Sequence, residues 1–349
     1  MKQVFCKQFS NLKFYLILLS LSVVFQFCSS ENLPNESGET EPLFRIEGTQ
    51  ILKENLPVFY KGVNALQTYG LGNADLMDRW NIEIVREFIG NLREQPIDGG
   101  AIQGSDAVWY HPLQRIVDQN RAHGKITILC PFGWVNENGD RILFTGLNPL
   151  EQSFYPAYKI KMQGIAQHFQ DQPDVWIEVW NEPFHWNNQN NYSHNLWLTS
   201  MEDMIDNLRE SGYDNIILVP GNEQGQSAAA LLAKGQELME NRPNLLFDLH
   251  AYEKWLVNQS EDEIGQRIQQ LKNQGFPVLF GEIGVHNVTD LMPVLPFLNA
   301  ANSAQISVLA WLWNQNSEDR NALLNDEGAP NASDDNNHWG EVYRTFLER

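Results

Sequence analysis

Val175-Trp176-Ile177-Glu178-Val179-Trp180-Asn181 runs directly into Glu182-Pro183, and the fold turns on how this stretch is read. Its apolar residues occupy both alternating positions, and polar groups gather toward its end. A strand apolar on both faces belongs in a parallel sheet that is covered on both sides. Seven other segments read the same way: 58–64, 83–88, 126–131, 216–220, 245–250, 278–282 and 307–313. Helical periodicity fills the gaps at 106–123, 152–170, 191–211, 227–240, 261–274, 291–302 and 337–347, with a shorter pattern at 74–80. Asp106 and Ser260 stand where helix N-caps are expected, and Gly124 and Gly275 where helices end. Eight strands alternating with eight helices over roughly 300 residues predict an α/β fold, a single (β/α)8 TIM barrel. An open doubly wound sheet would place a glycine-rich phosphate turn after its first strand. The chain has Ala65-Leu66-Gln67-Thr68-Tyr69-Gly70 there instead. Residues 43–56 are expected to form a short N-terminal hairpin below the barrel.

The ends of the chain and its charge set further bounds. Of 349 residues, 24 are Lys or Arg and 44 Asp or Glu, a net charge of −20. This acidity argues against a nucleic-acid partner and against a basic membrane-binding face. Lys2, Lys7 and Lys13 precede a mostly apolar run from Phe14 to Phe27, which suits an export signal better than a spanning helix. Cys28 follows, as in a lipoprotein signal, although Phe27 stands where a small residue is wanted. Lipidation at Cys28, cleavage near Ser30 with release, and an uncleaved anchor all remain open, and each implies export. The expected organisation is a signal over 1–28, a flexible linker over 29–42 and a catalytic barrel over 43–349, with a lipid anchor as its only membrane contact. Cys6 and Cys130 are the remaining cysteines, so no disulfide framework is expected.

Active sites of such barrels lie at the C-terminal ends of the strands. Those ends carry Arg86-Glu87 on the second strand, Asn181-Glu182 on the fourth, Asp248-Leu249-His250-Ala251-Tyr252 on the sixth, Gly281-Glu282 on the seventh and Trp311-Leu312-Trp313 on the eighth. Glutamates on strands four and seven stand nearly opposite across a narrow barrel. Two carboxyl groups flanking a bond are what glycoside hydrolysis needs, one protonated and one ionised. Their separation decides whether configuration is retained or inverted, and sequence does not give it. Glu178 shares the parity of Glu182 and reads as a buried structural carboxylate with Arg86 as its partner.

The motif Glu178-Val179-Trp180-Asn181-Glu182-Pro183, with Phe280-Gly281-Glu282-Ile283-Gly284 about 100 residues later, resembles glycoside hydrolase family 5, the cellulase family. The resemblance extends from Phe44 to the C-terminus. It implies retention through a covalent glycosyl-enzyme, with Glu182 as acid/base and Glu282 as nucleophile. It further implies Asn181 on the sugar 2-hydroxyl, Arg86 and Tyr252 holding Glu282, His250 beside the acid/base, and Trp311 beneath the sugar being cleaved. The chain departs from the family on the third strand, where Cys130 and Phe132 replace an Asp-x-His-like pair. Cys130 reads as an inert buried thiol rather than a nucleophile.

Eleven tryptophans suit a ligand with flat apolar faces. Trp80, Trp176, Trp180, Trp197 and Trp339 fall within elements and read as core. Trp109, Trp134, Trp186, Trp255 and Trp311 follow strands two, three, four, six and eight and are expected around the catalytic rim, with Trp313 on the side of Trp311. The histidines have no metal-ligand spacing, and neither a metal nor a cofactor is expected. The reading is an exported, monomeric, retaining β-glycosidase on a β-1,4-linked polysaccharide. By the family resemblance, an endo-glucanase comes first and an endo-mannanase second. A non-catalytic glycan-binding lipoprotein is the rival of another class. An esterase is disfavoured because no Gly-x-Ser-x-Gly turn occurs.

Overall fold

The computed structural model describes residues 42–66 and 74–349. The expected signal, Cys28, nearly all of the linker and the loop 67–73 lie outside the described residues. Three short strands come first: β1 (Phe44–Glu47), β2 (Gln50–Lys53) and β3 (Leu56–Val58). They form an antiparallel sheet in the order β1-β2-β3, one strand more than the expected hairpin. The extra strand arises because Glu54 and Asn55, both at positive φ, turn the chain back a second time.

Eight parallel strands then close a barrel: β4 (Lys61–Ala65), β5 (Ile84–Ile89), β8 (Ile126–Pro131), β11 (Val175–Glu178), β12 (Ile217–Pro220), β13 (Leu245–Ala251), β14 (Val278–Ile283) and β15 (Ser307–Trp313). Helices α1 (Ala74–Asp78), α2 (Leu113–Ala122), α3 (Tyr155–Phe169), α4 (His194–Arg209), α5 (Ala229–Met239), α7 (Glu261–Asn273), α8 (Leu295–Ala304) and α9 (Trp339–Leu347) follow the barrel strands in turn. The short α6 (Glu253–Leu256) extends the loop after β13. The (β/α)8 barrel expected from the alternating pattern is the fold. Two small hairpins decorate the C-terminal face, β6 (Ile102–Gln103) with β7 (Trp109–Tyr110) and β9 (Gly133–Val135) with β10 (Arg141–Leu143).

The first hairpin corrects one boundary. The helix expected from residue 106 begins only at Leu113, behind Pro112. Asp106 caps nothing there; it accepts from the Tyr110 hydroxyl at 2.5 Å and pairs with Arg141 at 3.0 Å. Ser260 does form a capping box with Glu263. Gly124 and Gly275 sit at helix ends with φ of +68° and +80°.

Two apolar layers support the barrel. The outer one lies between strands and helices and takes in Trp80, Trp180, Trp197 and Trp339. The lower end of the lumen is filled by Ile84, Ile128, Trp176, Leu218, Leu246, Leu279 and Leu309. Phe44 of β1 plugs this layer, its ring edge-on to Trp176 at 5.7 Å. The N-terminal sheet therefore works as a bottom lid that keeps water from the lumen below the polar site. Removing a buried phenylalanine ring costs about 3–5 kcal/mol. Phe44→Ala is expected to lower the denaturant midpoint by a corresponding amount while leaving turnover per folded molecule unchanged, measured by urea titration and by activity at low urea.

Candidate active site

Near their C-terminal ends the last three barrel ladders lose register: between Leu249 and His250, between Phe280 and Ile283, and between Ala310 and Trp313. Such irregularities re-aim side chains. Here they bring His250 level with Glu282 on the neighbouring strand. On the other side of the barrel Asn64 pairs in register with Arg86.

Arg86 is fully buried, and its guanidinium fork reaches across the lumen. Nε and Nη2 donate to the two Glu178 oxygens at 2.7 and 3.0 Å. Nη1 donates to Asn64 Oδ1 at 3.0 Å and to Glu282 Oε1 at 2.8 Å. Nη2 also donates to Asn181 Oδ1 at 2.8 Å. Burial opposes the Arg86 charge, but the carboxylates of Glu178, Glu282 and Asp248 outweigh it and hold the group firmly cationic. Burial lifts Glu178 to about 8, against the pull of Arg86.

Glu282 is almost wholly buried, and its Oε2 accepts from the Tyr252 hydroxyl at 2.9 Å. Burial raises its pKa. The charges of His250 and Arg86 and the Tyr252 hydrogen bond act against that rise. Glu182 is more open to solvent. Its Oε1 lies 3.0 Å from His250 Nδ1, and the same nitrogen is 3.6 Å from Glu282 Oε2. Burial also opposes a charge on His250, yet Glu282, Asp248 and Glu182 hold its pKa well above the ordinary value. One carboxylate oxygen of Glu182, one of Glu282 and a nitrogen of His250 all lie within 4.8 Å of one another. Retaining glycosidases hold their two carboxyl groups roughly 5–5.5 Å apart, and inverting ones leave roughly 6.5–9.5 Å for a water. The nearest oxygens of Glu182 and Glu282 thus approach more closely than the spacing that leaves room for a water between inverting carboxyl groups.

The backbone of Glu182 is pinned from the third-strand loop. Its N–H donates to Phe144 O at 3.2 Å and its carbonyl accepts from Gly146 N at 2.7 Å. Trp180 stacks on Phe144 at 4.1 Å and donates to the same Phe144 carbonyl. The Asn181 oxygen is engaged by Arg86, and its buried Nδ2 has no hydrogen-bond partner among the described residues. A buried amide donor without a partner is a place for a ligand oxygen.

The family resemblance covers this arrangement. The cellulase profile (glycosyl hydrolase family 5) matches residues 72–317. The chain belongs to glycosyl hydrolase family 5. A mannan endo-1,4-beta-mannosidase of Cellvibrio japonicus is 24% identical over 152 residues, which is 43% of this chain and 34% of that protein, so the likeness spans about a third of the relative. The catalytic domain of a mannanase from Streptomyces sp. SirexAA-E has the same fold, with a TM-score of 0.69 at 19% identity over 92% of this chain and 96% of that one. The catalytic domain of an endoglucanase from Thermobifida fusca gives 0.63 at 17% identity over 88% and 97%.

The structure brings together Arg86, Asn181, Glu182, His250, Tyr252 and Glu282, and it redistributes the aromatic rim. Trp311 is half-buried, its ring 4.4 Å from that of Phe88, which stacks in turn on Phe132 at 4.7 Å. Trp109 and Trp186 are exposed on the loops after the second and fourth barrel strands. Three expected rim residues are buried instead. Trp134 stacks on Phe154, Trp255 lies under the Arg267 guanidinium with its Nε1 bonded to Gln226 O, and Trp313 packs edge-on to Trp80. The ladder break after Ala310 separates Trp313 from Trp311, so their shared strand parity no longer gives a shared face.

The third-strand departure also takes physical form. Cys130 is fully buried, its Sγ 3.6 Å from Asn181 Oδ1, and burial drives the thiol far above its ordinary pKa. Phe132 makes the adjoining wall aromatic. Asn64 and Asp248 belong to the same polar cluster and were not singled out by the sequence. Both sit on barrel strands with the parity of a residue that was: Asp248 is two before His250, and Asn64 stands beside Arg86.

Removing the Tyr252 hydroxyl takes away one of the donors that favour ionised Glu282, so its pKa rises further. Tyr252→Phe is expected to move the acid limb of the kcat/KM profile to higher pH, with the basic limb unchanged. A pH–rate series on a soluble oligosaccharide checks this.

Proposed function

We propose that the protein is an exported, retaining endo-β-1,4-glycanase acting on mannan-type polysaccharides. The observation that carries retention is the approach of the Glu182 and Glu282 oxygens to within 4.8 Å. In this reading the ionised Glu282, held by Arg86 and Tyr252, attacks the anomeric carbon while Glu182 protonates the departing glycosidic oxygen. The sugar is left bonded to Glu282. Glu182 then takes a proton from water as the water attacks the same carbon, restoring both carboxyl groups. Asn181 Nδ2 donates to a hydroxyl of the reacting sugar, and Trp311 offers its ring to the apolar face of that sugar. The exposed Trp109 and Trp186 extend this platform to neighbouring sugars.

Mannan comes before glucan because the curated relative carries that activity, and one structural neighbour shares it. This reverses the order implied by the family resemblance. Glucan stays as the second reading through the likeness to an endoglucanase catalytic domain. The basic start, the apolar run and Cys28 support export with lipidation at that cysteine. The paired glutamates argue against a purely glycan-binding role.

Reducing-sugar release from galactomannan, carboxymethylcellulose and barley glucan tests the proposal with residues 43–349. Galactomannan is expected to be cut fastest, with a mid-chain product pattern. Glu282→Gln is expected to abolish release, and Glu182→Gln to reduce it about 10²–10⁴-fold. Faster cleavage of carboxymethylcellulose would favour the glucan reading. A folded wild type inert on all three polymers would contradict both.

A further inference from the structure

Asp248 is a buried carboxylate that the double displacement described above does not use. It lies on barrel strand β13, fully enclosed. Its Oδ1 accepts from the Gly281 N–H at 2.6 Å. A Cβ at position 281 would stand 2.2 Å from Oδ2, so the glycine beside Glu282 leaves the room that this carboxylate fills. Among the described residues Oδ2, 3.6 Å from Arg86 Nε, has no hydrogen-bond partner, and neither does Nε2 of the fully buried His250. These two atoms face each other at 3.8 Å. The other ring nitrogen, Nδ1, faces Glu182. His250 is further fixed from behind, because its N–H donates to Gly225 O and its ring leaves no space for a side chain at Gly225.

We infer that Asp248 is a positioning residue for the acid/base step: its Oδ2 keeps a proton on His250 Nε2, which leaves Nδ1 to share the proton of Glu182. The 3.8 Å contact exceeds hydrogen-bond distance, and catalytic hydrogen bonds often tighten only when substrate is bound. The Glu182–His250 pair holds one proton, on Oε1 or on Nδ1. It leaves from Oε1 to the glycosidic oxygen as that C–O bond breaks and the bond to Glu282 forms. It returns from the attacking water in the second step, while the Nε2 proton stays in place throughout. The charged and titratable groups around the ring are Glu178 and Glu182 from the fourth strand and its loop, Glu282 from the seventh, Arg86 from the second, Asp248 from its own strand and Tyr252 just beyond that strand. Asp248 Oδ2 lies 3.8 Å from Nε2, with one Glu178 oxygen in the same cluster within 4.8 Å, and the two catalytic glutamates approach Nδ1.

This inference rests on reading Glu182 as the acid/base, and its test separates the two. In ¹⁵N-histidine-labelled wild type, with His250 assigned by loss of its signals in His250→Gln, Nε2 is expected to remain protonated from about pH 5 to 8. A proton on Nδ1 with a bare Nε2 would overturn the inference, with no turnover needed. Asp248→Asn keeps an acceptor for Gly281 but presents an amide N–H₂ to Nε2, which drives the ring proton to Nδ1 and removes a negative charge. Both changes make the Glu182–His250 pair give up its proton at lower pH. The basic limb of kcat/KM is then expected to move to lower pH. Cleavage of an oligosaccharide is expected to fall about 10–100-fold at neutral pH, and that of a 2,4-dinitrophenyl glycoside, whose leaving group needs no proton, to stay within about twofold. Equal losses on both substrates would assign Asp248 a merely structural role and refute the proposal. If the variant fails to fold, the wild-type nitrogen shifts decide alone. A wild type inert on both substrates would sink the acid/base reading instead.

Discussion

One buried guanidinium organises this site. Arg86 spans the lumen and engages Glu178, Asn64, Asn181 and Glu282 together. A lone buried charge is very costly, and removing one partner from a buried pair typically destabilises by about 3–5 kcal/mol. The arrangement persists because its charges and donors answer one another. Glu178 takes two donors of the fork, which orients the remaining ones toward Glu282 and Asn181. The planar five-donor fork is what makes such a junction possible, and a lysine ammonium would not reproduce it.

The barrel contributes rigidity and selective irregularity. Regular ladders between β4, β5 and β8 hold Arg86 and Asn64 in register. Ladder breaks on β13, β14 and β15 turn His250, Glu282 and Trp311 toward the same space. Glu182 lies just beyond β11, and its backbone is fixed by the third-strand loop instead. The two glutamates thus have different surroundings, Glu282 enclosed by donors and Glu182 open on one side toward solvent. In the proposed double displacement, that asymmetry gives two chemically identical groups different parts.

Much of this was legible in the sequence. The strands at 126–131 and 307–313 and the motif ending in Glu182-Pro183 follow from apolar patterning and strand-end position. Glu178 was readable as the partner of Arg86 because parity and burial gave the same answer. The errors came where a local rule met a tertiary feature. Asp106 looks like a helix cap, but a hairpin intervenes before Pro112. Trp134 and Trp255 follow barrel strands as Trp186 does, yet distance along a loop does not tell which way a ring turns, and Trp313 parts from Trp311 at the ladder break within β15. The role of Asp248 depends on the empty space above Gly281 on another strand, about thirty residues away, which no local pattern encodes.

The account depends on Glu282 forming a covalent bond with the sugar. The most direct measurement is mass spectrometry of the enzyme after incubation with a 2-deoxy-2-fluoro-β-glycosyl fluoride of a disaccharide that it cleaves, followed by peptide mapping. The account predicts a single adduct of one glycosyl unit on the peptide containing Glu282, formed as activity is lost and released when activity returns. A label on Glu182, or steady turnover of this reagent to a product of inverted configuration with no adduct, would contradict it.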